Sequence, residues 1–349
     1  MSLKIETEIP SQDTPLVASF LPEPQVVTNQ DLVEFIAKNN KNSPSLSAED
    51  IRRKTGIIIR HYRQPLGQES DSRLETIPCM AEKMAKALLL QKGWKPEAVD
   101  LFAVITTYPL GKENNISGVV SGRLNISHAE TVDVYAGCVG PVYFLDKLRR
   151  IGYGDKDKIL AVSVEHYTPS LDPGLDMAVF SDQKSGIAFE GKDLTLEDSE
   201  IIMKPSRLIT FPINKEDYPE DSWAMDMPTG SNNFSMKGFE VYEAIRNGPL
   251  FGLIKYLTMK NPESEALVPH PGSGKVLDMI QRQLQKIGLS LYVSRETLAQ
   301  FGNGAAASNF AELGAFLKSP KGRTARNIIL AAAGAGMAFG AVRVVIKKR

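Results

Sequence analysis

The sequence has little cysteine, no excess of either charge and no long uninterrupted apolar run. Cys79 and Cys138 are its two cysteines among 349 residues, too few for a disulfide framework, which favours a reducing compartment. Lysine plus arginine and aspartate plus glutamate each total 41. A net charge near zero argues against a general nucleic-acid binder, although a local basic patch for an anionic substrate remains possible.

Secretion and membrane insertion are also disfavoured. Residues 1–20 mix acids, prolines and polar residues without an apolar run, so we expect no secretory signal. The longest apolar stretch, residues 328–345, is interrupted by three glycines and an arginine. This pattern predicts a strand, a glycine turn and a second strand, and not a membrane span. We therefore expect a cytoplasmic protein with no membrane partner.

Segments with strand and helix patterns alternate along the chain. Strands are predicted at residues 99–108, 131–136, 158–164, 185–190, 266–268 and 327–333, and helices at 77–92, 139–151, 237–258, 275–287 and 308–317. Such alternation predicts an α/β fold with mainly buried sheets. Residues 191–235 are polar and rich in Asp, Pro and Asn, and we predict that they connect two halves of the chain.

Cys138 is the candidate nucleophile because it follows a predicted strand and precedes a predicted helix, between Gly137 and Gly140. The amides of a helix N-terminus favour a thiolate over a thiol. The same amides can hold the oxyanion that forms on an attacked thioester. The alternative interpretation is a small buried cysteine that only packs, and we adopt that interpretation for Cys79, which lies within a predicted helix.

Two later stretches join Cys138 in a recognisable order. His270 lies in Leu-Val-Pro-His-Pro-Gly, about 130 residues after Cys138, and Asn303 lies in Phe-Gly-Asn-Gly-Ala-Ala-Ala-Ser. With these neighbours, the order Cys, His, Asn resembles the thiolase-like condensing enzymes, and above all β-ketoacyl-acyl-carrier-protein synthase III. Blocks in the same order support the resemblance across residues 20–349: Arg53–Ile57, Ile159–Glu165, Phe180–Asp182 and Gly334–Ala341.

The resemblance implies a five-layer αβαβα thiolase-like fold, with two similar halves packed as one body and a homodimer as the assembly. Residues 1–195 would form the half with Cys138, and residues 196–349 the half with His270 and Asn303. It also implies that an acyl thioester acylates Cys138, after which a malonyl thioester loses carbon dioxide and its enolate attacks the acyl group. No cofactor or metal is implied beyond thioesters of coenzyme A or of an acyl carrier protein.

The residue types suit this chemistry. A neutral imidazole at His270 and a carboxamide at Asn303 can both donate to an enolate oxygen without adding negative charge. The resemblance assigns the oxyanion of the condensation step to the backbone amide of Cys138 and an amide at Ala335 or Gly336. The cluster Arg52, Arg53 and Lys54 precedes a Thr-Gly pair and would contact the phosphates of the thioester carrier.

The sequence also departs from synthase III. No aromatic residue lies at 46–50, where that family has a tryptophan for adenine, and the His-Pro-Gly of residues 270–272 is similar to type III polyketide synthases. These departures favour a specialised enzyme. Two alternatives remain open: acyl transfer from Cys138 to an alcohol or amine without condensation, and a non-catalytic subunit.

Other motifs carry no function in this interpretation. Residues 272–275, Gly-Ser-Gly-Lys, are similar to a phosphate loop but lack its leading glycine and its final Ser or Thr. The remaining histidines, His61, His128 and His166, are scattered and have no metal-site spacing.

Overall fold

The computed structural model describes residues 15–40, 46–68, 73–107, 115–167, 176–203, 209–210, 218, 220, 222–225 and 235–347. Its helices are α1 (Asn29–Asn39), α2 (Ala48–Thr55), α3 (Arg73–Lys92), α4 (Ile116–Leu124), α5 (Gly140–Ile151), α6 (Gly238–Asn247), α7 (Leu250–Lys260), α8 (Gly274–Lys286), α9 (Leu298–Phe301) and α10 (Ala306–Lys318).

Its strands are β1 (Leu16–Pro22), β2 (Gln25–Thr28), β3 (Ile59–Tyr62), β4 (Leu101–Thr106), β5 (Glu130–Tyr135), β6 (Lys158–Glu165), β7 (Gln183–Glu190), β8 (Leu194–Met203), β9 (Ile209–Thr210), β10 (Trp223–Ala224), β11 (Ser235–Met236), β12 (Ala266–Pro269), β13 (Tyr292–Val293), β14 (Asn327–Gly334) and β15 (Ala338–Ile346).

Two sheets form the framework. The first has the strand order β1-β7-β6-β4-β5-β10, with β4 parallel to both β5 and β6 and with β1 and β7 antiparallel. The second has the order β13-β12-β14-β15-β8. Strands β4 and β6 are buried almost end to end, which is the pattern of strands covered on both faces.

Helices cover both faces of each sheet. In β4, Phe102 and Val104 pack in the cluster of α3, whereas the alternate residues Ala103 and Ile105 pack in the cluster of α5 and α10. Because alternate side chains of a strand point to opposite faces, α3 and α10 lie on opposite sides of the sheet. The second sheet shares α5 and α10 and packs α7 on its outer face. The resulting order of layers is α, β, α, β, α, which confirms the predicted five-layer fold.

One predicted helix is wrong. The pattern at residues 237–258 is divided into α6 and α7 by Gly248 and Pro249. Proline has no amide hydrogen to donate within a helix, and its ring clashes with the preceding turn. In the conformation that ends α6, a side chain at Gly248 would lie 2.5 Å from the carbonyl of Ala244, so glycine suits this position. The helix therefore ends, and a second one begins directly after Pro249.

The prediction for residues 191–235 is also wrong in part. This segment contains β8, a ten-residue strand that pairs antiparallel with β15 along the second sheet. An edge strand exposes one side to solvent, so its polar composition does not mark a loop. The predicted division at 195/196 falls at the start of β8, while β10 returns to the first sheet beside β5.

The other predicted elements agree with the structure to within a few residues, although Tyr108, the last residue of one predicted strand, lies outside the described residues. None of the helices described combines the length and apolar character needed to cross a membrane.

Candidate active site

A cavity of about 660 Å³ brings the three candidate catalytic residues together. Cys138, His270 and Asn303 all line it, although they come from different sheets and loops. The wall between them and solvent is mainly apolar and includes Val179, Phe180, Met236, Phe239, Val241, Tyr242, Ile245, Leu250, Val276 and Ile280. The cavity has the size and lining of a small-molecule site.

Cys138 lies at the junction between β5 and α5. Gly137 has φ +52°, which a side chain rarely adopts, and it turns the chain from the strand into a short 3-10 turn that contains Cys138. Gly334 packs against this turn so closely that an added β-carbon would lie 2.8 Å from the Cβ of Cys138. The cysteine is 7 % exposed, so only a ligand inside the cavity can reach it.

The electrostatics of Cys138 differ from the sequence-based prediction. Burial, followed by the negative charge of Glu165, raises the pKa of the Cys138 thiol to about 12, and a hydrogen bond from its own amide opposes the shift. The amide at the start of the helix therefore lowers the thiol pKa in the expected direction, but burial outweighs it. The cysteine is a neutral thiol at neutral pH, and its proton has to leave as it attacks.

His270 follows β12 and is held by its backbone. Its amide donates to the carbonyl of Ala331 on β14 (2.7 Å), and its carbonyl accepts from the Gly272 amide (2.9 Å). Burial alone lowers the pKa of the imidazole to about 4. Among the described residues, the Nδ1 of His270 has no hydrogen-bond partner. The ring is thus neutral at physiological pH, and a neutral imidazole can donate one hydrogen bond to an anionic oxygen.

The carboxamide of Asn303 has a defined orientation. Its Oδ1 accepts from the Ala305 amide (2.8 Å), so its Nδ2 faces the other way and donates to the carbonyl of Gly272 (3.3 Å). A β-carbon at Gly272 would lie 3.9 Å from the Nε2 of His270. Gly272 therefore lies between the two side chains, and the remaining Nδ2 hydrogen is available to a ligand.

The loop of Asn303 is also docked on the first half of the chain. The Asn303 amide donates to Val179 (3.0 Å), and its carbonyl accepts from Ser181 (2.9 Å). Ala305 has φ +41°, which is uncommon for a residue with a side chain. The backbone is thus held in a strained conformation next to the site.

The glycine-rich turn between β14 and β15 lies beside Cys138. Gly336 and Met337 both have positive φ, +66° and +49°, and the turn connects strands that pair up to Gly334 and Ala338. Residues 334–336 therefore lie beside the cysteine. The resemblance assigns the amide of Ala335 or Gly336 to an oxyanion hole at this place. Gly334, which contacts Cys138 directly, was not among the predicted site residues.

The predicted basic cluster divides into two groups. Lys54 lines the cavity together with Thr55. Arg52 and Arg53 do not line it; they form exposed ion pairs with Glu49 and Asp50 one turn earlier on α2, both at 2.8 Å. The positive charge that reaches the cavity from this helix is therefore that of Lys54.

A second exposed lysine lines the cavity at its open end, called here the mouth, and was not predicted as a site residue. Lys275, in the first turn of α8, lines the cavity beside Ser273, which caps that helix by accepting from the Val276 amide (3.3 Å). The Gly-Ser-Gly-Lys pattern of residues 272–275 is the sequence signal for this lysine, although the pattern lacks two residues of a phosphate loop. An added β-carbon at Gly56 would lie 3.0 Å from the Cα of Gly274, so α2 and α8 meet at the mouth.

The other residues considered from the sequence lie elsewhere. Cys79 is half-buried on α3, and both cysteines are reduced. His61 contacts the Glu23 carbonyl (2.8 Å) and stacks on Phe301, while His166 lies 3.3 Å from Asp182 in the interior. Within the part of the chain that the structure describes, no group of three His, Cys, Asp or Glu residues could hold a metal ion.

The chain is similar to known proteins in sequence and in fold. No family model matches the chain. The β-ketoacyl-acyl-carrier-protein synthase III of Oceanobacillus iheyensis is 24 % identical over 322 residues, which cover 91 % of this chain and 93 % of the relative.

Solved structures share the fold. The 3-oxoacyl-acyl-carrier-protein synthase III of Pseudomonas aeruginosa superposes with a TM-score of 0.75 and 22 % identity, over 96 % of this chain and 99 % of the other. A type III pentaketide synthase of Neurospora crassa gives 0.72 and 15 %, over 96 % and 99 %.

The fold is therefore that of the thiolase-like enzymes. Over nearly the whole chain the sequence is also similar to that of β-ketoacyl-acyl-carrier-protein synthase III, at 24 % identity.

Proposed function

We propose that the protein joins an acyl group carried on Cys138 to a malonyl thioester by decarboxylative Claisen condensation, in fatty-acid or polyketide-type biosynthesis. The observation that carries the proposal is one cavity that Cys138, His270 and Asn303 line together. A nucleophile and two neutral hydrogen-bond donors around one space are what the two half-reactions require.

In the first half-reaction, the sulfur of Cys138 attacks the thioester carbonyl. A new carbon–sulfur bond forms, the carrier's carbon–sulfur bond breaks, and the thiol proton ends on the departing carrier thiol. Because the pKa of Cys138 is raised to about 12, a group in the cavity has to take that proton during the attack. The sulfur of the departing carrier is that group, which is why the proton ends there.

In the second half-reaction, the malonyl thioester loses its carboxylate as carbon dioxide. The electron pair of the broken bond forms an enolate, whose oxygen accepts hydrogen bonds from His270 and from Nδ2 of Asn303. The enolate carbon then attacks the acyl carbonyl, and the sulfur of Cys138 leaves. The amide of Cys138, together with that of Ala335 or Gly336, would hold the oxyanion of this step.

The carrier of the thioester would approach between α2 and α8. Lys54 and Lys275 supply positive charge at the mouth, and the N-terminus of α8 adds unpaired amides that favour a phosphate. Coenzyme A and an acyl carrier protein both present such a phosphate on a pantetheine arm. We further propose that the enzyme acts as a homodimer in the cytoplasm.

Acyl labelling and carbon dioxide release test the proposal separately. Wild type should gain the mass of one acyl group on Cys138, and Cys138→Ala should gain none while remaining folded. His270→Ala and Asn303→Ala should still be acylated but should release carbon dioxide about 10²–10³-fold more slowly.

Two results would contradict these roles. Acylation of the Cys138→Ala protein at Cys79 would remove the proposed nucleophile. Carbon dioxide release at the wild-type rate by either the His270 or the Asn303 variant would remove the shared enolate contact. Transfer of the acyl group to an added alcohol or amine, without carbon dioxide release, would favour the non-condensing acyltransferase.

A further inference from the structure

A buried acid outside the cavity connects the segments that carry His270 and Asn303. Glu312 lies in α10, nine residues after Asn303, and its side chain is fully buried. Its Oε1 accepts from the Ser294 hydroxyl and from the Glu296 amide (2.6 Å), and its Oε2 accepts from the amide (3.0 Å) and hydroxyl (2.5 Å) of Thr297. Both oxygens of the carboxylate thus accept two hydrogen bonds each.

All four donors belong to the loop 294–297, which contacts the strand that carries His270. The amide of Ser294 donates to the carbonyl of Leu267 in β12 (2.9 Å). Leu267 lies in this short strand, three residues before His270. The loop is therefore hydrogen-bonded to β12, the strand that ends one residue before His270.

The same loop begins the segment that ends at Asn303. The carbonyl of Thr297 accepts from the amides of Gln300 (3.1 Å) and Phe301 (3.0 Å), which forms α9. Gly302 follows with φ +68°, and Asn303 comes next. Glu312 thus ties the start of α9 to α10, the helix that begins three residues after Asn303.

We propose that Glu312 is a positioning residue that fixes the separation between the His270 imidazole and the Asn303 carboxamide, so that both reach one enolate oxygen. This inference rests on the proposed function. Glu312 does not line the cavity, so it acts through the loop and not on the substrate. Acylation of Cys138 depends on the junction of β5 and α5 and should not depend on the hydrogen bonds of Glu312.

Four groups donate hydrogen bonds to Glu312, and only a carboxylate can accept all four, two at each oxygen. In Glu312→Gln one oxygen becomes an amide donor, so two of the four donors lose their acceptor while the shape is retained. The loop then has to move to rehydrate or re-pair them. Displacements of about 1 Å near a reaction centre can cost about 10²-fold in rate.

A control residue, Glu265, lies directly before the same strand, β12. Glu265, at the opposite end of β12 from His270, accepts from the amides of Arg326 (2.5 Å) and Asn327 (3.0 Å). Glu265→Gln removes a carboxylate that also accepts backbone amides, at the end of β12 away from His270. Thr297→Val, which deletes one of the four hydrogen bonds and keeps the volume, is a milder version of the Glu312 change.

The test measures three quantities on the full-length protein: acylation of Cys138 by intact mass, carbon dioxide release from malonyl thioester, and the ¹⁵N shifts of the His270 ring and the Asn303 side-chain amide. In Glu312→Gln, acylation should stay within about twofold, kcat for carbon dioxide release should fall about 10²-fold with little change in KM, and both shifts should move. Thr297→Val should change in the same direction by less, and Glu265→Gln should match wild type.

Equal losses of acylation and carbon dioxide release would show a merely structural acid and overturn the proposal, as would unchanged kinetics in both loop variants. A wild type that releases no carbon dioxide would refute the proposed function instead. The nitrogen shifts would then still decide whether Glu312 positions the two side chains, since they do not depend on turnover.

Discussion

The raised pKa of Cys138 can be measured directly through the pH dependence of its alkylation. The thiolate is the reactive form. With a pKa of about 12, the thiolate makes up roughly 1 in 10⁴ to 1 in 10⁵ molecules at pH 7.5, and this fraction rises tenfold with each pH unit. The rate of reaction with iodoacetamide should therefore rise about tenfold per pH unit from pH 7 to 10 without a plateau.

The assay is site-resolved mass spectrometry of the alkylated protein over this range. Unfolded protein is the internal standard, because there the Cys138 rate should level off near the ordinary thiol pKa of about 8.5. Glu165→Gln is the matched variant: it removes the second cause of the shift and should raise the alkylation rate at fixed pH. A plateau below pH 8 in the native protein would refute the reasoning, since it would mean that helix amides outweigh burial.

Three further predictions follow from the site. Burial lowers the pKa of His270 to about 4. Below pH 6.5 the unfolded chain therefore binds a proton at His270, whereas the folded chain binds it only near pH 4. Between pH 7 and pH 4.5, wild type should lose about 2–3 kcal/mol more unfolding free energy than His270→Gln in urea titrations, and equal losses would contradict the shift. Gly334→Ala places a β-carbon 2.8 Å from that of Cys138 and should slow acylation and cost about 1–3 kcal/mol of stability, whereas Gly252→Ala, with nothing within 4 Å, should do neither. Replacing Lys54 and Lys275 by alanine should raise KM for a carrier-bound thioester and weaken its salt dependence, while Arg52→Ala should not; equal effects would make the contact a diffuse charge effect.

The part of the site that the sequence predicted is the part carried by local motifs. Cys138 is marked by a strand, two glycines and a helix, and His270 and Asn303 by short stretches of unusual composition. Because each motif sits at the end of a strand or next to a positive-φ residue, its conformation is set by neighbours in sequence. That the three residues line one cavity could be predicted only through the resemblance. The number of residues between them in the sequence does not determine how far apart they lie in space.

The missed features depend on contacts between distant segments. Lys275 reaches the mouth because α2 and α8 approach closely at Gly56 and Gly274. The ionisation of Cys138 could not be predicted either, since burial by the second half outweighs the local helix terminus. Glu312 had a visible signal, a single acid within a helix that is otherwise apolar in its centre, but its partners lie fifteen to eighteen residues earlier.

The divided helix at residues 237–258 shows the opposite error. Here the local signal, Gly248 followed by Pro249, was present and was outweighed by apolar periodicity that continues through both helices. Strand β8 was missed because its exposed edge gives it a polar composition, and only pairing with β15 makes it a strand.

A chase of the acyl enzyme tests the central claim most directly. Wild-type protein acylated on Cys138 is isolated, mixed with a malonyl thioester and followed by intact mass together with carbon dioxide release and analysis of the small-molecule products. If Cys138 carries the acyl group into condensation, loss of the acyl mass, release of one equivalent of carbon dioxide and appearance of a β-ketoacyl thioester should occur together. Loss of the acyl group to water, an alcohol or an amine without carbon dioxide, or an acyl enzyme that malonyl thioester leaves unchanged, would contradict it.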